Sequence, residues 1–228
     1  QLHGILATYD RKYNEALFTF KDSNDNSFTI SYNEFTNAFV SFYDFIPPMY
    51  INDNRIIYSP DPDNNNDVYM HDKGDYCEFY GTTYDSKLSF IVNEAPIYTK
   101  LFDNLEWITE VDTFDPATDS NVNIKGETWT TLRVYNDYQN TDTQLLDPNA
   151  IIPNITRKER GWKLAIPRNR VLYTTPSPNI FIDLSPTRKQ FGERIRDKYV
   201  TVDLQYNNLN NYRLVLHECK SIFRISDR

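Results

Sequence analysis

YVTVDLQYNNLNNYRLVLHECKSIFRIS, running from Tyr199 to Ser226, carries the clearest strand pattern in the chain and decides its fold. Tyr199 to Tyr206 and Tyr212 to Ile225 read as two β-strands joined by the Asn-rich turn NNLNN. A β-sandwich is the natural home of such a pair. Upstream, Gly161 to Pro167 is a strand with Trp162, Leu164 and Ile166 on one side, and Thr128 to Tyr135 alternates in the same way. Leu88 to Val92 is a continuous apolar strand, and an aromatic series from Phe102 through Leu105, Trp107 and Ile108 opens the C-terminal half. The division therefore falls between 97 and 98. Residues 1–97 form a hairpin-rich β-domain completed by upstream sequence or another chain, and residues 98–228 form a β-sandwich-like domain with extended arms.

The N-terminal part contains an imperfect echo, YNEALFTF at Tyr13 to Phe20 and YNEFTNAFVSF at Tyr32 to Phe42. Each copy reads as a turn, an acidic residue and an aromatic strand. Ala16, Phe18 and Phe20 alternate with Leu17 and Thr19, and Ala7 and Tyr9 supply a preceding strand across the turn DRKYN. KDSNDNS is a surface connection to a second hairpin beginning at Phe28, Ile30 and Tyr32. Repeated antiparallel hairpins are how propeller-like β-domains are written. Pro47–Pro48 ends the strand, Arg55 to Tyr58 suggests another, and Val68 to His71 pairs with Cys77 to Tyr80 around KGD.

Two segments break the strand rhythm. Asn136 to Gly161 is longer than a normal connection and reads as an ordered arm or a loop, and the prolines of TTPSPNIFIDLSPTRKQ, Thr174 to Gln190, extend it across a surface.

Composition agrees with an all-β chain of 228 residues: 17 Tyr, 14 Phe and 3 Trp against 2 Met, with few runs suited to helices. The 12 prolines and many Asn and Asp residues make turns where only 6 glycines are present. No segment approaches the roughly 20 apolar residues of a membrane-spanning helix, so no membrane partner is expected. The first residue is Gln1, which suits either a cleavage product or an excerpt of a longer polypeptide, with cleavage the favoured expectation. The net charge of −8 divides unevenly, −14 for residues 1–120 and +6 for 121–228. The cations of the second half are scattered, which argues against sequence-specific nucleic-acid binding and for packing between subunits of opposite local charge.

Chemistry finds little footing. His3, His71 and His217 are far apart and in no metal-binding spacing, and His217 in LVLHECK reads as a structural histidine. Cys77 and Cys219 match neither a zinc site nor a disulfide framework and read as buried or incidental thiols. Asp61, Asp63, Asn65 and Asp67 begin a calcium-loop spacing, but Asn66 stands where glycine belongs and Asp72 where a bidentate glutamate belongs. Asp22/Asp25 and Asp112/Asp115 are acid pairs of the kind that 32 acidic residues produce by chance. No catalytic, cofactor-binding or metal residue is assigned, and the chain is read as a non-enzyme without cofactors.

Five runs carry a family resemblance: HGILATYDRKYNEALFTF (His3 to Phe20), SYNEFTNAFVSFYDFIPPMYI (Ser31 to Ile51), FYGTTYDSKLSFIVN (Phe79 to Asn93), KLFDNLEWITEV (Lys100 to Val111) and Arg194 to Arg228. Together they resemble the C-terminal part of the tail muzzle, or tail stabilisation, proteins of crAss-like phages. The resemblance implies a structural virion protein in a phage tail. The partners it implies are other copies of itself, the upstream part of the same polypeptide and tail ring proteins. A receptor- or glycan-binding β-domain at the tail tip, with a host surface receptor as partner, is the alternative.

Overall fold

The computed structural model describes residues 4–22, 26–53, 55–64, 66–115, 117–151, 153–170 and 192–226, and these contain strands and turns but no helix. Two units divide the chain, Gln1–Tyr84 and Asp85–Arg228. The division lies 13 residues before the expected one for a physical reason. The apolar strand Ser86–Val92 is paired along its whole length with Val200–Tyr206, and so belongs to the second unit.

Unit 1 opens with an antiparallel meander of β1 (Gly4–Asp10), β2 (Glu15–Lys21), β3 (Phe28–Asn33) and β4 (Ala38–Tyr43), in that spatial order. Two hairpin turns share one design. Asp10 accepts the Lys12 backbone N–H at 2.8 Å and Asn33 accepts that of Phe35 at 3.0 Å, while Asn14 and Asn37 end the two turns at φ 56° and 53°. Short Asx side chains suit both jobs, since they bond their own backbone and tolerate the left-handed region. The sequence echo is consequently out of phase with the structure. Tyr13-Asn14-Glu15 leaves a turn and enters β2, whereas Tyr32-Asn33-Glu34 leaves β3 and enters a turn.

Three smaller strands, β5 (Ile51–Asn52), β6 (Ile57–Pro60) and β7 (Val68–Met70), form a second sheet, and β8 (Glu78–Phe79) pairs with β9 (Thr82–Thr83). The expected pairing of Val68–His71 with Cys77–Tyr80 is not formed: β7 pairs with β6 through Tyr58↔Met70. Leu17, Phe45 and Ile57 make the small core, with Tyr43, Tyr50, Phe79 and Tyr80 against it.

Unit 2 holds β10 (Ser86–Val92), β11 (Lys100–Asp115), β12 (Ser120–Asn123), β13 (Thr131–Tyr135), β14 (Gln144–Leu145), β15 (Ile155–Lys158), β16 (Gly161–Ala165), β17 (Arg196–Asp197), β18 (Val200–Tyr206) and β19 (Arg213–Ile225). One sheet runs β10-β18-β13-β14, and the other is organised on the 16-residue β11. Along one edge β11 pairs with β19; along the other it pairs successively with β17, β16 and β12. Phe102, Leu105, Trp107 and Val111 of β11 meet Leu132, Val134, Val200, Val202 and Leu204 of the opposite sheet in one core, as in a sandwich. Full burial of each such side chain is worth about 1.5–3 kcal/mol.

The deciding stretch forms its two strands, yet β18 and β19 do not pair with each other. β18 lies between β10 and β13, and β19 lies beside β11 in the other sheet. NNLNN is thus an arch between sheets. Buried Asn208 closes it, donating to the Tyr212 carbonyl at 2.7 Å and accepting the Tyr212 N–H at 2.7 Å.

Asn136 to Arg160 is not a projecting arm. Leu146 and Ile155 are buried in the unit 2 core, and Gln139 ties the segment down by donating to the Arg194 carbonyl and accepting the Arg196 N–H. Thr174 to Gln190, the other expected arm, lies outside the described residues.

The new boundary also redraws the electrostatics. Unit 1 holds 13 acidic and 5 basic side chains, the entire −8, whereas unit 2 holds 19 of each. The two-ended charge of the sequence disappears because carboxylates of β11 meet cations from later in the chain. Asp103 binds Arg194 and Arg224, Glu106 binds Lys163 and Lys220, and Asp112 binds Arg213.

Candidate interaction surface

Strand pairing places side chains of β1–β4 on two faces of opposite character. On the inner face Thr19 stands opposite Thr29, and Leu17 opposite Ser31. Those two threonines and Ser31 are 0% exposed. The two threonine hydroxyls form a directed chain. Thr29 Oγ1 donates to the Phe45 carbonyl at 2.7 Å, so it accepts from Thr19 Oγ1 at 2.7 Å, which in turn accepts from the Tyr50 hydroxyl at 2.6 Å. Bonding of the two buried threonines is what lets this polar face turn inward, although Ser31 Oγ, equally buried, has no hydrogen-bond partner among the described residues.

The outer face is apolar. Three cross-strand rows cover it: Ile5, Phe20 and Phe28; Ala7, Phe18, Ile30 and Phe42; Tyr9, Ala16, Tyr32 and Phe39. No charged residue occurs in the rows. Phe20 and Phe28 stack at 4.8 Å, Phe28 meets Phe42 at 5.9 Å, and Tyr32 meets Phe39 edge-on at 5.4 Å. Phe42 is 70% exposed, Phe39 64% and Ile5 62%. The two polar tips are already engaged, Tyr9 OH donating to Glu34 at 2.8 Å and Tyr32 OH donating to Asn37. Exposed apolar faces of this extent are characteristic of contact surfaces in proteins.

Sequence reasoning found these strands but not which parity faces outward. Alternation gives two faces, and the aromatic one is ordinarily assigned to the core. The available signal was the alignment of Thr19, Thr29 and Ser31 on one parity, three small hydroxyls able to bond one another.

Several of the described polar and ionisable residues have partners within the fold. Asp61 accepts the Asp63 and Asn64 backbone N–H groups at 2.8 and 3.3 Å, and Asp67 accepts from the Asn64 amide at 2.6 Å, an Asx turn; Asn65 lies outside the described residues. Asp112 faces Arg213, while Asp115 caps its own turn through the Ala117 N–H. For the other pair, Asp25 lies outside the described residues, as does His3. His217 is 3.1 Å from Glu110 on the surface of unit 2. His71 Nε2 lies 2.6 Å from Ser59 Oγ, which also meets Tyr80 OH at 2.6 Å, and burial lowers the imidazole pKa. Ser59 is fully buried, so this pair offers no nucleophile to a substrate. Cys219 is half-buried, and burial pushes its thiol up to about 11, far from a reactive thiolate.

Concavities are modest. A hollow of about 90 Å³ beside Asp10, Arg55 and His71 has room for a few waters, each about 30 Å³. Another of about 410 Å³ in unit 2 is lined by Pro148, Pro153 and Ile155, with no converging acids.

Comparison with known proteins agrees with the resemblance. The family described as Crassvirus muzzle protein matches residues 1–62, and the Crassvirus muzzle protein C-terminal domain matches residues 74–169. Over 212 residues the chain is 26% identical to the muzzle protein of Bacteroides phage crAss001, a match covering 92% of this chain and 13% of that protein. The chain thus spans about an eighth of the length of this relative. The aromatic outer face lies wholly inside the first matched segment.

Proposed function

Because the chain belongs to the crassvirus muzzle protein family, we propose that it is a structural part of the virion, built into the tail of a short-tailed phage and holding neighbouring tail subunits together. The observation that carries this reading is the charge-free aromatic face of β1–β4, backed by hydroxyls bonded in a chain, which suits the segment to being built into a larger structural body, whichever sheet covers it. Such a face gains free energy only when another apolar surface covers it. Its product is contact area, and no bound substrate is needed. The partners in this reading are other copies of the chain, other parts of the same polypeptide and tail ring proteins.

Unit 2 supplies rigidity. A strand of 16 residues anchored on both edges, with Trp107 and Trp162 paired across β11 and β16, makes a stiff block. Sugar recognition fits the aromatic face poorly, because rings that bind sugars need free polar partners beside them, and Tyr9 and Tyr32 already spend their hydroxyls on Glu34 and Asn37.

The reading is tested by building phage that carry Phe28→Asp with Phe42→Asp. Particles with missing or unstable tails are expected. Infectious particles of ordinary stability would remove the proposal.

A further inference from the structure

Resting on that structural reading, we infer that the outer face of β1–β4 is covered by another β-sheet of the same muzzle polypeptide, outside residues 1–228. The partner is intramolecular, neither a second copy nor a foreign subunit.

Size decides first. Four strands about 4.8 Å apart and six residues of about 3.4 Å rise give a face roughly 19 by 20 Å. Covering it removes on the order of 1,000 Å² counting both partners, below the roughly 1,600 Å² of a stable complex between free proteins. A sheet on the same chain needs no such area, because covalent connection raises its effective concentration to the millimolar range or above.

Composition agrees. Interfaces between separate proteins carry a polar rim around an apolar centre. Here two rows are apolar from β1 to β4 and the third from β1 to β3, including Ile5 and Phe39 at opposite corners, which is the make-up of a domain core.

Charge argues against self-pairing. Unit 1 carries the whole −8 of the chain, so two copies meeting through it bring like charge together. The meander itself fits stacking, since a four-stranded antiparallel sheet with both faces covered is the blade of a β-propeller. The relative extends far beyond the matched part, with this match spanning 13% of it.

Hydroxyl-radical footprinting of Phe28, Phe39 and Phe42 tests this in three samples: the 228-residue chain, the complete muzzle polypeptide as a monomer, and the assembled particle. Oxidation follows exposed area, so covering takes Phe42 from 70% towards the 3% of core Phe45, a fall of up to roughly twentyfold. The inference expects that fall already in the monomeric complete polypeptide, with the 228-residue chain fully reactive. Protection appearing only in the particle overturns the inference and leaves the structural reading standing, since another subunit is then the cover. Concentration-dependent protection of the 228-residue chain alone overturns it in favour of a second copy. Reactive rings in all three samples overturn both.

Discussion

Phe20 and Phe28 stack with ring centroids 4.8 Å apart and planes 22° from parallel, on the outward face of their sheet. One residue along, Thr19 and Thr29 share a hydrogen bond of 2.7 Å on the buried face. Aromatics outside and hydroxyls inside invert the usual order, and the following expectations come from that inversion and from the ion pairs of β11.

Outer-face rings contribute little to the stability of the 228-residue chain. Phe42→Ser is expected to change it by less than about 0.5 kcal/mol, whereas Leu17→Ala on the inner face costs about 2–4 kcal/mol. All three tryptophans lie in unit 2, so amide hydrogen exchange of β2 and β3 is the readout for unit 1. Equal losses for the two variants would mean that the outer face is core.

Unit 1 weakens on mild acidification. Burial lowers the His71 pKa below its ordinary 6.5, against the opposing pull of Asp10 and Asp72. The unfolded chain therefore binds the proton first, and stability rises with pH across this window. The contribution is complete above about pH 6.5 and is lost as pH falls through the lowered folded value. His71→Gln, which can still bond Ser59, is expected to flatten the profile between pH 7 and 5. An unchanged slope would assign the effect elsewhere.

Asp103 clamps two distant arginines to the bulge in β11. Arg224 binds it through two nitrogens at 2.6 and 2.9 Å, and Arg194 through one at 2.8 Å. These cations, Arg224 first, hold its carboxyl below the usual range. A depressed folded value means that the clamp contributes above about pH 4 and is lost as pH falls through that value. A double-mutant cycle of Asp103→Asn with Arg224→Gln, read by tryptophan fluorescence, is expected to give a small favourable coupling that shrinks in 1 M salt.

The arch between β18 and β19 depends on one amide. Asn208→Ala removes both of its 2.7 Å bonds to Tyr212 and leaves buried backbone groups unpaired, at a cost of about 1–3 kcal/mol. Asn208→Asp, which keeps the acceptor for the Tyr212 N–H, is expected to cost less. Urea midpoints of the two variants check this.

Strand existence was legible because alternation survives in sequence: Val200 to Tyr206, Trp162 with Leu164, and the meander from Gly4 to Tyr43 all form where the period of two places them. Pairing was less legible. A loop of six residues between β18 and β19 looks like a hairpin, but β18 has apolar partners waiting at β10 and β13, and those contacts lie more than 60 residues away. Net charge misled for the same reason, since Asp103 finds Arg224 only after folding. The outer face was invisible as a surface because an aromatic parity in sequence carries no label saying whether its cover lies within the chain.

A density map of the assembled particle at side-chain resolution around Phe28 and Phe42 bears most directly on the claim that this segment works by contact area. The account predicts a second protein layer about 10 Å from β1–β4, with the rings of Phe39 and Phe42 interleaved into it. Bare solvent over those rings in the intact tail would contradict it.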